Sequence, residues 1–160
     1  MILLRYAKRD QCNTLKENPC HQYNKGDYHS AFEYFTKAAA LGDAEAHIRL
    51  AGMYRDGEGV EKDEGKKIFH QEEAAIGGHP RARYNLGCEE WNNTDNDERA
   101  VRHWIIAATQ GHDRSIKMLM DLYGDGEVEK EDLATALRAH KAAVDATKSP
   151  QRKEAERYNY

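Results

Sequence analysis

The chain has 160 residues, with 28 Asp and Glu against 24 Lys and Arg and a formal net charge of −4. That length holds about one domain, and the charge balance disfavours nucleic acid and acidic membranes, whose binders concentrate Lys and Arg on one face. A mean hydropathy of −0.95 is too polar for one large compact core and suits thin helical layers that keep much of their surface wet.

In chain order, the first element is irregular. Ile2, Leu3 and Leu4 form a short apolar run before Arg5, Lys8 and Arg9, shorter than the apolar region of a signal peptide. No later stretch approaches a membrane span. Leu15 to Tyr23 reads as a degenerate helix, because Pro19 opposes a regular one. Cys12, Cys20 and His21 lack the close Cys pairing of a zinc site, so no metal and no cofactor is expected. Three cysteines, an odd number with irregular spacing, point to reduced thiols in a cytoplasmic or nuclear protein. Residues 1–26 are therefore read as an N-terminal segment outside the main array.

A helical pattern follows. Ala31, Phe32, Phe35 and Ala38–Ala39 make one apolar face, a half unit over 27–41. Three self-similar units come next, at 42–77, 78–110 and 111–146, opened by Gly42, Gly78 and Gly111. A repeat of this length signals stacked supersecondary units. In the first, Ala46, Leu50 and Tyr54 recur every four residues as one helical stripe. Ala82 and Leu86 repeat two of these positions, with Glu90 as the exception; Ser115, Leu119 and Tyr123 repeat all three. Gly57 and Gly59 then suit a positive-φ turn, and Asp63 starts a second helix whose apolar face is Ile68 and Phe69. Small pairs, Ala74–Ala75, Ala107–Ala108 and Ala142–Ala143, end the second helices. First helices are expected near 43–55, 79–91 and 112–123, and second helices near 62–76, 96–109 and 130–146. The terminal segment 147–160 reads as a capping helix, with Ser149 at the N-cap and Pro150 after it; Ser149 also sits in a proline-directed phosphorylation sequence.

Ala46, Leu50, Tyr54, Gly57, Gly59, Val60, Asp63, Ala74–Ala75, Gly78 and Ala82 together resemble the Sel-1-like repeat, a relative of the tetratricopeptide repeat. The second unit departs from the pattern, with WNNTDND where the turn glycines belong, and the third keeps Tyr123, Gly124, Gly126 and Val128. The resemblance implies an all-α, right-handed α-solenoid of stacked helix-turn-helix units and a non-enzymatic scaffold or adaptor. The chain also lacks a nucleophile elbow, P-loop, dinucleotide fingerprint or zinc-protease motif.

Other features read plainly. His70 and His103 occupy equivalent points of two second helices and are expected to pack or face water. Asn92 to Asp97 is acidic like a calcium loop but lacks its glycine, and reads as an Asx-rich turn. By analogy with tetratricopeptide arrays, the first helices line a concave groove. Its candidate binding residues are Arg55, Arg81, Tyr84, Trp91, Arg114, Lys117 and Asp121, with Glu45, Ile48, Gly52 and Cys88 beside them. Aromatic and Arg side chains dominate interface energetics, so the expected partner is a protein or peptide carrying carboxylates, with no nucleic acid and no membrane. Trp91 has a second reading, as filler for the space left by the missing turn. The alternative function is a regulatory or substrate-recognition fragment of a larger multidomain protein, such as a ubiquitin-ligase or degradation adaptor.

Overall fold

Seven α-helices run through residues 27–93 and 97–148, the part of the chain that the computed structural model describes. They are α1 (Tyr28–Ala40), α2 (Ala44–Asp56), α3 (Glu64–Ile76), α4 (Pro80–Asn93), α5 (Asp97–Thr109), α6 (Asp113–Gly124) and α7 (Lys130–Thr147). No strand occurs among the described residues. The N-terminal segment with Cys12, Cys20 and His21, and the segment with Ser149 expected to form a capping helix, lie outside them. So do residues 94–96; Asn92 and Asn93, expected in a turn, instead end α4.

The links between units are built alike. In each, a buried Ala pair ends a second helix and a left-handed glycine follows, Gly42, Gly78 or Gly111, at φ 79, 81 and 86°. The residue after the glycine returns its N–H to the first Ala carbonyl: Asp43 to Ala38, His79 to Ala74 and His112 to Ala107. This reversal satisfies carbonyls that would otherwise be orphaned at the helix end. Asp43 and His112 then cap the next helix with their side chains, and Asp63 does the same for α3.

Within a unit the turn is glycine-dependent. Gly57 caps α2 at φ 76°. Gly59, at φ 74°, docks so tightly that a Cβ there would lie 2.7 Å from the Tyr28 carbonyl oxygen. The expected turn therefore also ties α2 to the start of α1.

Each helix packs chiefly on its chain neighbours, and α5 meets α7 as well as α6. The result is an α-solenoid with a segmented core. One cluster joins α1 to α2 through Ala31, Phe35, Ala46, Leu50 and Met53. A second joins α2, α3 and α4 through Ile48, Ala74, Ala75, Ala82 and Leu86. The third gathers α5, α6 and α7 around Trp104, Leu119, Leu122 and Leu133. Leu50, Leu86 and Leu119 are all buried, as their shared stripe position requires.

Three packing expectations are corrected. Phe69 is 52% exposed, because α3 turns Lys67, Gln71, Ala74 and Ala75 inward, a stripe at i, i+4, i+7 and i+8 that puts Phe69 on the other side. Tyr123 is exposed and Leu122 is buried in its place: the stripe follows the 3.6-residue period from Leu119 by three. Ile48, expected off the stripe, is buried in the joint between units.

Inward-facing Lys67 is 5% exposed. Its ammonium reaches Glu89 of α4 at 2.6 Å and is also bonded by Glu64. Burial alone would lower its pKa, but the two carboxylates outweigh it and hold the pKa above 10.5. The pair fixes α3 against α4; one polar contact in an apolar joint favours a single register.

Candidate functional site

The first helices wall a cavity of about 610 Å³. α2 contributes Arg49, Gly52, Arg55 and Asp56, α4 contributes Arg81, Tyr84 and Asn85, and the start of α6 contributes His112, Asp113 and Arg114. Helical spacing explains the arrangement. Arg81, Tyr84 and Asn85 stand at i, i+3 and i+4, on a face beside that of Ala82 and Leu86, which enter the core. Gly52 leaves the wall open, since nothing lies within 4 Å of where its Cβ would be. Gln71 reaches the cavity from α3.

Of the groove residues expected from the sequence, Arg55, Arg81, Tyr84 and Arg114 come together here. Trp91, Lys117 and Asp121 do not line the cavity. Trp91 packs against Trp104 with ring centroids 5.6 Å apart, beside the third core cluster. Cys88, the only cysteine among the described residues, packs on that cluster too. Lys117 and Asp121 are exposed further along α6. Where a turn tyrosine is missing in the second unit, Glu90 bridges to Arg99 of α5 at 2.9 Å. Arg49, Asn85 and Gln71 were not singled out from the sequence. Asn85 follows Arg81 by one helical turn, a signal that could have found it; Gln71 comes from a second helix, which the groove analogy omits.

Four arginines and two aspartates line the cavity, so it is cationic within an anionic chain. Their engagement differs. Arg55 forks onto Asp56 at 2.9 and 2.7 Å, and Arg49 Nε donates to Glu45 at 2.8 Å. Arg81 stands 3.9 Å from the same Glu45, which also meets His79 at 2.9 Å. Burial would raise the Glu45 pKa, but His79, Arg49 and Arg81 hold it below 4.5. Arg114 makes no salt bridge among the described residues. His112 is held below 6.5 by burial and then by Arg114, and its ring lies 5.0 Å from Tyr84. Burial raises the Tyr84 pKa above 10.0, helped by Cys88.

Next to this wall, α2 and α3 share a histidine pair. His47 Nδ1 lies 3.0 Å from His70 Nδ1, and Tyr54 stacks on His70 with an interplanar angle of 11°. Such a bond needs one nitrogen protonated and the other bare. Burial, then His47, then Lys66 push the His70 pKa down to about 4. A group depressed from 6.5 in the folded state binds its proton more readily when unfolded. Its contribution is whole above pH 6.5 and is lost as pH falls toward about 4. The melting temperature of the native chain is expected to fall across that window more steeply than that of His70→Phe, which keeps the stack without the titration. Equal slopes would remove His70 as the source. His103, at the matching place on α5, is also held below 6.5 by burial, with Arg83 next. Both histidines pack, as expected.

No described helix is long and apolar enough to cross a membrane. No group of three or more His, Cys, Asp or Glu among the described residues is placed to hold a metal ion.

Comparison with known proteins adds a family pattern, described as Sel1 repeat, which matches residues 23–43, 44–67 and 80–112. The helix pair α6–α7 lies beyond the matched stretches. Chitin synthase regulatory factor 4 of Schizosaccharomyces pombe is 31% identical over 87 residues, 54% of this chain and 14% of that protein. An uncharacterised protein of Neisseria meningitidis serogroup B is 31% identical over 126 residues, 78% of this chain and 26% of that protein. The chain thus spans about a quarter or less of these curated relatives. Among solved structures, a Sel1 repeat protein from Oxalobacter formigenes superposes with a TM-score of 0.65 at 25% identity, over 79% of this chain and 54% of that one. A protective antigen of uropathogenic Escherichia coli with the same type of fold gives 0.60 at 23%, over 79% and 30%.

Proposed function

We propose, from the premise that the chain belongs to the Sel1 repeat family, that it is a scaffold or adaptor whose cavity between α2, α4 and the start of α6 holds a segment of a partner protein. The family is characteristically non-catalytic and acts in protein–protein interaction, and the chain is not an enzyme. The observation that carries the finer reading is the convergence of Arg55, Arg81, Tyr84 and Arg114 on one open cavity. A cationic wall with an aromatic member suits a segment that carries carboxylates beside apolar side chains. The odd number and irregular spacing of the three cysteines support a place in the cytoplasm or nucleus.

The test uses a partner recovered by pull-down with the full chain. Gly52→Leu should weaken its binding by about 2 kcal/mol or more, because the new side chain enters the cavity. The fold should tolerate it: the Cβ meets nothing, and removing a helical glycine is favourable by up to about 1 kcal/mol. Arg81→Glu should weaken binding as well, and Arg81→Lys by less, since Lys keeps the charge but loses the fork. Unchanged affinity in Gly52→Leu and Arg81→Glu, each folded by circular dichroism, would move the site off this face.

A second reading is favoured by the small share that this chain spans of its curated relatives, one of which is named a regulatory factor. Here the array is a regulatory or substrate-recognition part of a larger multidomain protein, such as a ubiquitin-ligase or degradation adaptor. The mass of the endogenous protein, read by immunoblot, separates the two: a band near 18.3 kDa excludes this reading.

A further inference from the structure

We infer that the start of α6 is a proton-driven switch: His112 caps the helix only while its imidazole is neutral, and protonating it loosens the first turn of α6, one wall of the cavity.

The cap has an unusual chemistry. His112 precedes α6 with extended backbone, and its Nδ1 accepts the Ser115 N–H at 3.3 Å and stands 2.9 Å from Ser115 Oγ. An imidazole nitrogen accepts only while it is bare. Once Nδ1 carries a proton it faces the Ser115 N–H donor to donor, and that N–H is left with the His112 carbonyl at 3.2 Å. Nδ1 can still donate to Oγ, but the hydroxyl hydrogen then needs another acceptor, and Ser115 is 0% exposed. The added charge also stands at the positive end of the helix dipole. The other two links lack this device. Asp43, at the same place before α2, caps with a carboxylate that accepts the N–H groups of Glu45 and Ala46. His79, before α4, turns Nε2 to Glu45 and leaves Nδ1 without a partner.

The surroundings support an imidazolium poorly. α6 itself places Arg114 and Asp113 beside it, and α4 places Arg81, with His79 just ahead of that helix. The Tyr84 ring of α4 lies 5.0 Å away. Of these groups Asp113 alone opposes the charge, and its carboxylate is already bonded to His140 of α7 at 3.0 Å. Across the cavity the α2 cations are engaged, Arg49 by Glu45 and Arg55 by Asp56. Burial, and then Arg114, hold the His112 pKa below 6.5. With the folded value below the unfolded one, the cap is whole above pH 6.5 and is lost as pH falls through the lower value. His112, Asp113 and Arg114 all line the cavity, so acid would reshape its wall. The switch belongs to the free chain, and it stands or falls apart from any partner in the cavity.

The experiment follows the full chain by NMR from about pH 7.5 to about pH 5, above the His70 value of about 4. The His112 ring carbons should titrate with a midpoint below 6.5, and the Ser115 amide should shift with the same midpoint. Hydrogen-exchange protection of the Ile116, Lys117 and Met118 amides, corrected for the intrinsic rate at each pH, should fall by about three- to tenfold, as for loss of a helix cap. In His112→Asn, whose side chain caps without titrating, that fall should vanish. In His140→Gln, which removes the other imidazole near Asp113, it should persist. A Ser115 amide that ignores the His112 midpoint overturns the switch, and needs no variant to do so. Protection lost equally in the native chain and in His112→Asn overturns it as well. So does a fall that disappears in His140→Gln, which would assign it to the bond with Asp113.

Discussion

Trp104→Ala should lower the stability of the array by about 3–5 kcal/mol, as expected for deletion of a large buried aromatic. The ring is 1% exposed and is enclosed by two helices at once. Its Nε1 donates to the Tyr84 carbonyl at 3.2 Å. Gly87 of α4 permits the approach, since a Cβ there would lie 2.6 Å from Nε1. Its other neighbours include Trp91 and Leu119. Little can collapse into the hole, because Gly87 has no side chain to offer and the ends of α4 and α5 are tied by Glu90 and Arg99. The measurement is urea unfolding, followed by the fluorescence of Trp91, the only other tryptophan described, whose emission should move to the red as its packing partner vanishes. A midpoint within experimental error of the native one would mean that α4 and α5 are held by something other than this ring.

Leu50→Ala should cost about 2–5 kcal/mol, but its damage should be uneven along the chain. Leu50 is 1% exposed and belongs to the cluster of α1 and α2, while Leu119 belongs to that of α5 to α7. In a linear array stability is roughly a sum over units and the interfaces between neighbours. Hydrogen exchange should therefore accelerate most in α1–α3, and least in α6–α7, with Leu119→Ala giving the opposite gradient. Equal acceleration everywhere in both variants would show that the array unfolds as one cooperative body.

The Gly, Ala and Leu positions made most of this fold legible. Each has one physical job that only a few residues can do: Gly57, Gly78 and Gly111 take a left-handed φ, Ala74 and Ala107 are buried where helices come close, and Leu50 and Leu119 fill the stripe. Aromatic and charged residues were harder to place. Phe69 was assigned to the core for its apolarity, yet α3 buries Lys67, a choice visible only once Glu89 is known to stand opposite. Trp91 satisfied the spacing of a groove residue, but the spacing does not say which way a ring leans when Trp104 offers it a face. Three of the cavity's four arginines, Arg55, Arg81 and Arg114, follow from helical spacing on α2, α4 and α6, whereas Arg49 was not singled out. Nor was Gln71, because its role comes from a helix that the spacing assigns to the outside.

The tie between chain order and packing has a mechanical side. A globular core resists stretching by shearing many contacts at once. Here each helix leans mainly on the next one along the chain, so a pull on the two ends would load the joints in series. A helix of 13 residues drawn from a rise of about 1.5 Å per residue to about 3.5 Å lengthens by roughly 26 Å. Under tension the molecule would give way in short, separate steps, each recoverable from the intact neighbour, and would behave as an elastic tether between whatever it joins.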